Sequence, residues 1–172
     1  MNGIELFFIL LQIGFIIYIL YYIIAFLSGA PFVPSTSVTS KSMIELAELK
    51  KGKKVYDLGS GNGKLLLLAA QKGAIAVGFE INPILVLFSN IRTFFSPYKD
   101  NVRTILKDFW LADIHDADVV FVYLLPWRME KLAQKLKEET QPGTVIVSNS
   151  FIFPKWKVLR QDVDHHVYVF KR

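Results

Sequence analysis

The sequence predicts an α/β domain: a mostly parallel sheet covered by helices, closed by an antiparallel C-terminal hairpin and preceded by one transmembrane helix. Three observations predict it. Apolar, β-prone runs alternate with helical runs from Lys54 to Ser148, the pattern of parallel strands joined by helical crossovers. A turn with glycines at alternate positions, Gly59, Gly61 and Gly63, follows the first of those strands. From Leu6 to Leu27 the chain is apolar throughout, with Gln12 as its only strongly polar side chain.

The 172 residues suffice for one domain. The first segment, residues 1–27, reads as an anchor, because 22 residues from Leu6 to Leu27 reach about 33 Å as a helix, enough for a hydrocarbon core of about 30 Å. Apolar side chains surround the whole helix, which disfavours an interfacial amphipathic helix. A cleaved signal peptide is the competing reading, since Ser28-Gly29-Ala30 supplies small residues. Against it stand Glu5 in place of a basic leader, a run longer than the usual signal core, and Pro31 just past the cut. Glu5 is the only charged side chain before Lys41, and Lys41, Lys50, Lys51, Lys53 and Lys54 follow. The positive-inside rule then expects the C-terminal domain on the cytoplasmic side, or the matrix side in a mitochondrion.

Residues 28–40, rich in Ser, Thr and Pro and without charge, read as a juxtamembrane linker, and residues 41–172 as the folded domain. A helix is expected to start near Thr39 or Ser40 and stop at Gly52. The expected strands are Lys54 to Leu58, Ala74 to Glu80, Val102 to Lys107, Asp118 to Leu124 and Thr144 to Ser148. Helices near Lys64 to Lys72, Pro83 to Phe95 and Trp127 to Glu139 lie between them. Lys157 to Gln161 and Val167 to Lys171, with a short polar turn between, read as the closing hairpin.

Cysteine is absent, which removes disulfides, thiolate metal sites and thiol nucleophiles. His165 and His166 are adjacent, and neighbouring strand residues point to opposite faces, so no metal site is expected. The net charge of +5 suits anionic lipid headgroups better than nucleic acid, because no long Lys/Arg run interleaves with aromatics.

Val55-Tyr56-Asp57-Leu58-Gly59-Ser60-Gly61-Asn62-Gly63 is an apolar strand entering a glycine loop and then a helix. Glycines let a ligand approach backbone, and the helix start offers free N–H groups. A nicotinamide-binding turn would place its third glycine three residues after the second, whereas Gly63 is two after Gly61. A phosphate-binding Walker loop is excluded because Leu65 follows Lys64 and position 58 is Leu. A plain strand-to-helix turn is the simpler alternative.

This D-x-G-x-G-x-G pattern resembles the first motif of class I S-adenosylmethionine-dependent methyltransferases, whose sheet is Rossmann-like. The resemblance implies that Gly59, Ser60, Gly61 and Gly63 back the methionine part of the cofactor and that Asp57 meets its amino group. Glu80, at the end of the second strand, can accept both ribose hydroxyls, with Ile81 and Asn82 beside it. Asp108 and Phe109 then stand at the adenine. Tyr123-Leu124-Leu125-Pro126 occupies the place of the Asn-Pro-Pro-Tyr element of amide and base methylators; without its Asn, Tyr123 is the candidate to orient an amine, a buried sheet tyrosine being the alternative.

Pro31-Phe32-Val33-Pro34-Ser35-Thr36, the glycine loop, Gly78 to Pro83 and Asp118 to Pro126 together resemble a narrower group. It comprises small membrane-anchored protein-lysine methyltransferases of the ATP synthase c-subunit and adenine nucleotide translocase type, with prokaryotic relatives. Ser60 and Asn62 stand where those relatives often carry Cys and Asp. The resemblance implies S-adenosylmethionine as cofactor, Pro34, Thr36 and Pro126 at the substrate, and the bilayer and a membrane-associated protein as partners. A small-molecule or lipid methyltransferase, a non-catalytic cofactor-binding protein and an anchored nucleic-acid-binding protein are the rivals.

Overall fold

The computed structural model describes residues 2–28 and 33–172. Pro31 and Phe32 of the connector lie outside the described residues. Helix α1, Gly3–Ser28, is apolar on all sides and leaves its described side chains exposed. Its stretch Gly3–Leu20 has a mean hydropathy of 2.3, long and apolar enough to cross a membrane.

The remaining elements are α2 (Ser37–Leu46), β1 (Lys54–Leu58), α3 (Lys64–Gln71), β2 (Ile75–Glu80), α4 (Pro83–Phe94), β3 (Val102–Leu106), β4 (Val119–Val122), α5 (Met129–Glu139), β5 (Val145–Asn149), β6 (Arg160–Asp162) and β7 (Val167–Lys171). Seven strands make one sheet in the order β3-β2-β1-β4-β5-β7-β6. β1 to β5 are parallel, and β7 enters antiparallel between β5 and β6. The order reverses between β1 and β4, so a crevice opens beyond their carboxyl ends, where open α/β sheets bind ligands.

Two apolar layers enclose the sheet. On one face α2 and α3 bury Met43, Ile44, Leu66 and Ala69 against Val55, Ala76 and Phe121. On the other, Leu132 and Leu136 of α5 meet Leu58, Val120 and Phe170. Lys135 is buried there as well, its ammonium satisfied by the carbonyls of Trp110 and Ala112 and by Glu139.

β1 and β7 fall where expected. α2 starts earlier, at Ser37, because the Thr36 hydroxyl accepts the Thr39 N–H at 3.1 Å and caps the helix there. It also stops earlier, at Leu46, and the chain then turns through positive φ at Glu48. Only the first strand of the last hairpin, β6, is displaced towards the C-terminus. Trp156 sits 5.3 Å from Phe153, which in turn meets Phe170 at 5.1 Å between ring centres, and this packing draws residues 153–158 off the sheet edge, so pairing begins only at Arg160.

Phe153 is 1% exposed and joins the hairpin to the core. Phe153→Ala should lower unfolding free energy by about 3–5 kcal/mol, read from the urea midpoint of the detergent-solubilised protein.

Candidate active site

The loop after β1 is bound to the end of β2. The N–H groups of Gly59 and Ser60 both donate to the Phe79 carbonyl at 3.0 Å. Gly78 and Gly63 allow this closeness. A Cβ on Gly78 would stand 2.4 Å from Ser60 Oγ and 2.6 Å from Leu66 Cδ1, and one on Gly63, where φ is +73°, would stand 2.0 Å from Ser89 Oγ.

Glu80 is the second fastening. Its carboxylate is buried and accepts the Gly61 N–H at 2.9 Å on one oxygen and the Asn82 N–H at 2.8 Å on the other. Each oxygen keeps a lone pair free of these amides. Asn82 turns its Oδ1 to the N–H groups of Ile84 and Leu85 and caps α4. Its side chain thus anchors the helix next to the site.

A cavity of about 210 Å³ opens at the carboxyl ends of β1 and β4, with Asp57, Ser60, Glu80 and Tyr123 in its wall. A narrow cleft continues past Gly59 and Glu80 to Ile81, Asp108 and Phe109. The two spaces share Gly59 and Glu80, so an elongated ligand would pass that carboxylate at its middle. Asp108 accepts the Trp110 N–H at 3.0 Å, which fixes the short turn carrying buried Phe109.

Tyr123, just past β4, is half-buried and faces the cavity. Pro34 lies in the cavity wall too. Thr36 and Pro126 stand outside it, Thr36 as the α2 cap and Pro126 as the exposed first residue of the turn after β4.

Val33 and Ser35, from the connector segment that carries the narrower resemblance, also line the cavity, and Ser40, Met43 and Lys64, which were not anticipated, join them. Ser35 is held by Asn149 of β5, whose Nδ2 donates to its hydroxyl at 3.0 Å, and the Lys64 ammonium donates to Ser37 Oγ at 3.1 Å. Their local sequence marks only a linker and a helix; their role arises from the connector folding over the loop. Four residues separate Ser28, the end of α1, from Val33, so five chain steps at most about 3.6 Å each bring the cavity wall within about 18 Å of that helix.

Asp57 is buried, and that burial, then the neighbouring Glu80 carboxylate, pushes its carboxyl up to about 7. Ser60 Oγ is buried without a hydrogen-bond partner. A buried acid pressed towards its neutral form, an orphaned hydroxyl and a carboxylate with free lone pairs form a site for a ligand bearing a cation at one end and hydroxyls at its middle. An amino acid joined to a nucleoside has that character.

The strand order, the antiparallel last strand and the acid-glycine loop at the switch point define a class I S-adenosylmethionine-dependent methyltransferase domain. The family model described as the ANTKMT methyltransferase domain matches residues 57–160, more than half of the chain, and the chain belongs to that family. It is 32% identical over 126 residues to the ATP synthase c-subunit lysine N-methyltransferase of Mus musculus, covering 73% of this chain and 51% of that protein. It is 32% identical over 156 residues to a protein-lysine N-methyltransferase of Saccharolobus islandicus, covering 85% and 96%. The chain thus spans about half the length of the mouse relative and nearly all of the archaeal one. Among solved structures, an RNA methyltransferase from Salinibacter ruber holding S-adenosyl-L-homocysteine is 37% identical, covers 81% of this chain and 93% of its own, and superposes with a TM-score of 0.78. S-adenosylmethionine is the cofactor of this domain.

The raised Asp57 carboxyl has two consequences for pH. Between about pH 4 and 7 the folded state without ligand holds a proton that the unfolded chain has released, so its stability should fall as pH rises through that window. A cationic amino group favours the ionised acid, so affinity for S-adenosylhomocysteine should rise about tenfold from pH 6 to 8. Titration calorimetry reads both the slope and the released proton; Asp57→Asn should flatten the slope, and a slope unchanged in that variant would assign it to another group.

Proposed function

We propose that this chain is a membrane-anchored, S-adenosylmethionine-dependent protein-lysine N-methyltransferase whose acceptor is a membrane-associated protein. One observation carries the reading: Val33, Pro34 and Ser35, in the segment that follows α1, help to form the wall of the cavity that holds Asp57 and Glu80. A site built partly from the connector of an apolar helix works close to whatever that helix enters. The curated relatives from mouse and Saccharolobus are both named as lysine methyltransferases, which supports lysine as acceptor.

In this reading Asp57 receives the cofactor's amino group, with Gly59, Ser60, Gly61 and Gly63 behind the methionine portion. Glu80 accepts the ribose hydroxyls with its free lone pairs, and Ile81, Asp108 and Phe109 enclose the adenine. Asn82 shapes this wall by capping α4. The cofactor's sulfonium supplies an activated methyl group, so the protein's task is to align a neutral amine and exclude water. Tyr123, at the cavity wall beyond β4, orients that amine, and the partly apolar entrance lowers the acceptor's pKa by desolvation. Pro34, Thr36 and Pro126 flank the approach of the acceptor chain. The helix Gly3–Ser28 spans the bilayer once, with the domain on the cytoplasmic or matrix side.

The Salinibacter structure is named as an RNA methyltransferase, which makes RNA the second acceptor to test. The full chain in lipid nanodiscs, supplied with methyl-labelled cofactor and either membrane proteins, RNA or lipid alone, should place label in N-methyl-lysine. Label recovered only in nucleotides or lipid would overturn the lysine assignment and retain the methyltransferase. Tyr123→Phe should lower turnover without weakening S-adenosylhomocysteine binding. Alkaline carbonate should leave the chain in the membrane pellet, and its release would remove the anchor.

A further inference from the structure

Helix α4 is turned the wrong way round for a soluble protein. A surface helix ordinarily directs its apolar stripe to the core. In α4 the buried residues are Ser89 and Thr93, while Ile84, Leu87, Phe88, Ile91 and Phe94, with Phe95 just beyond, are exposed. Exposure reaches 58% at Phe88, 70% at Phe94 and 80% at Phe95. The spacing of three and four residues collects them on one face, a single large apolar patch of the kind that marks an interaction site.

The inversion has a structural cause. Ser89 lies where a Cβ on Gly63 would collide, and its hydroxyl pairs with Thr104 Oγ1 at 2.6 Å. Only a small side chain fits at the point where α4 meets the glycine loop and β3; Leu85 and Val86 are half-buried beside it, and the other large apolar residues are left outside. Arg92 donates to Asn62 Oδ1 at 3.2 Å, which fixes the helix rotation beside the cofactor loop.

We infer that this face of α4 docks in the headgroup and upper acyl region of an anionic bilayer. From Ile81 to Lys99 the chain carries Arg92 and Lys99 and no acidic side chain, the charge that suits anionic headgroups. Aromatic and aliphatic residues on one face with a cation beside them match a helix lying in the interface. α4 also starts at the sheet edge where the connector ends, and Phe26 near the end of α1 meets the ring of Trp127 on that same edge at 5.3 Å. The patch is therefore within reach of any membrane that α1 enters. A second copy is a poorer occupant, because a twofold contact would bring the cations of two such faces together. As the crossover between two parallel strands, α4 runs back along the sheet. Docking it would lay the strands along the bilayer surface and turn the cavity mouth sideways at headgroup level.

The inference rests on the membrane-anchor reading, and the test separates the two. The chain has no cysteine, so Phe88→Cys, Phe94→Cys, Ile16→Cys and Glu138→Cys can each carry one environment-sensitive fluorophore in the full-length protein. Glu138 is exposed on α5, across the sheet from α4. In vesicles of phosphatidylcholine and phosphatidylglycerol, probes at 88 and 94 should shift to the blue and lose emission to lipids brominated near the headgroup. The Ile16 probe should be quenched by bromines deep in the acyl chains, and the Glu138 probe by neither. Replacing phosphatidylglycerol with phosphatidylcholine should reduce quenching at 88 and 94 alone. Emission at 88 and 94 equal to that at 138, with Ile16 quenched, would overturn the α4 contact and keep the anchor. A blue shift without bromine quenching would assign the face to a second copy and overturn the lipid contact. An unquenched Ile16 with quenched 88 and 94 would remove the anchor and leave the α4 contact standing.

Discussion

The site depends on the buried carboxylate of Glu80 and the two backbone amides it accepts. One oxygen takes the Gly61 N–H and the other the Asn82 N–H, so a single side chain ties the loop after β1 to the start of α4. Charge-assisted hydrogen bonds of this kind are worth about 1.5–3 kcal/mol each, enough to hold both segments in one arrangement. The same charge acts on Asp57 and, after burial, is the second cause of its raised pKa. The structure thus holds two acids close together at the carboxyl ends of adjacent strands, an arrangement that a cationic ligand relieves and a neutral one does not. Replacing Glu80 would loosen the loop, alter Asp57 and remove the middle of the cavity together.

Much of this was legible in the residues. The β1 strand and its glycine loop are readable because burial on both faces gives Val55 to Leu58 an apolar run and because three alternate glycines have few structural uses. Glu80 is readable as an acid at the next strand end. Thr36 and Asn82 are harder, since an Asx or hydroxyl side chain can cap a helix or meet a ligand, and both are seen capping. The displaced β6 is a tertiary effect: Trp156 favours Phe153 and Phe170 over strand pairing, which no local pattern reveals. The connector's part in the cavity is equally non-local, because it needs Asn149, from more than a hundred residues along the chain, to hold Ser35.

α4 marks the limit of periodicity. Its apolar residues recur at helical spacing, which on its own reads as a core face. The structure turns that face outward because the inward position opposite Gly63 admits only Ser89. Tight packing around the cofactor loop and an apolar outer surface are therefore two results of one constraint. On the reading proposed above, the constraint serves both chemistry and placement, since the helix that closes the cofactor loop also presents the surface nearest the lipid.

The most direct measurement maps lysine methylation across membrane proteins by mass spectrometry, in cells producing the full chain and in cells producing Glu80→Ala. The account predicts methyl increments on lysines close to the membrane surface with the first chain and their loss with the second. Identical lysine profiles, with new methyl groups found instead on RNA or lipid, would contradict it.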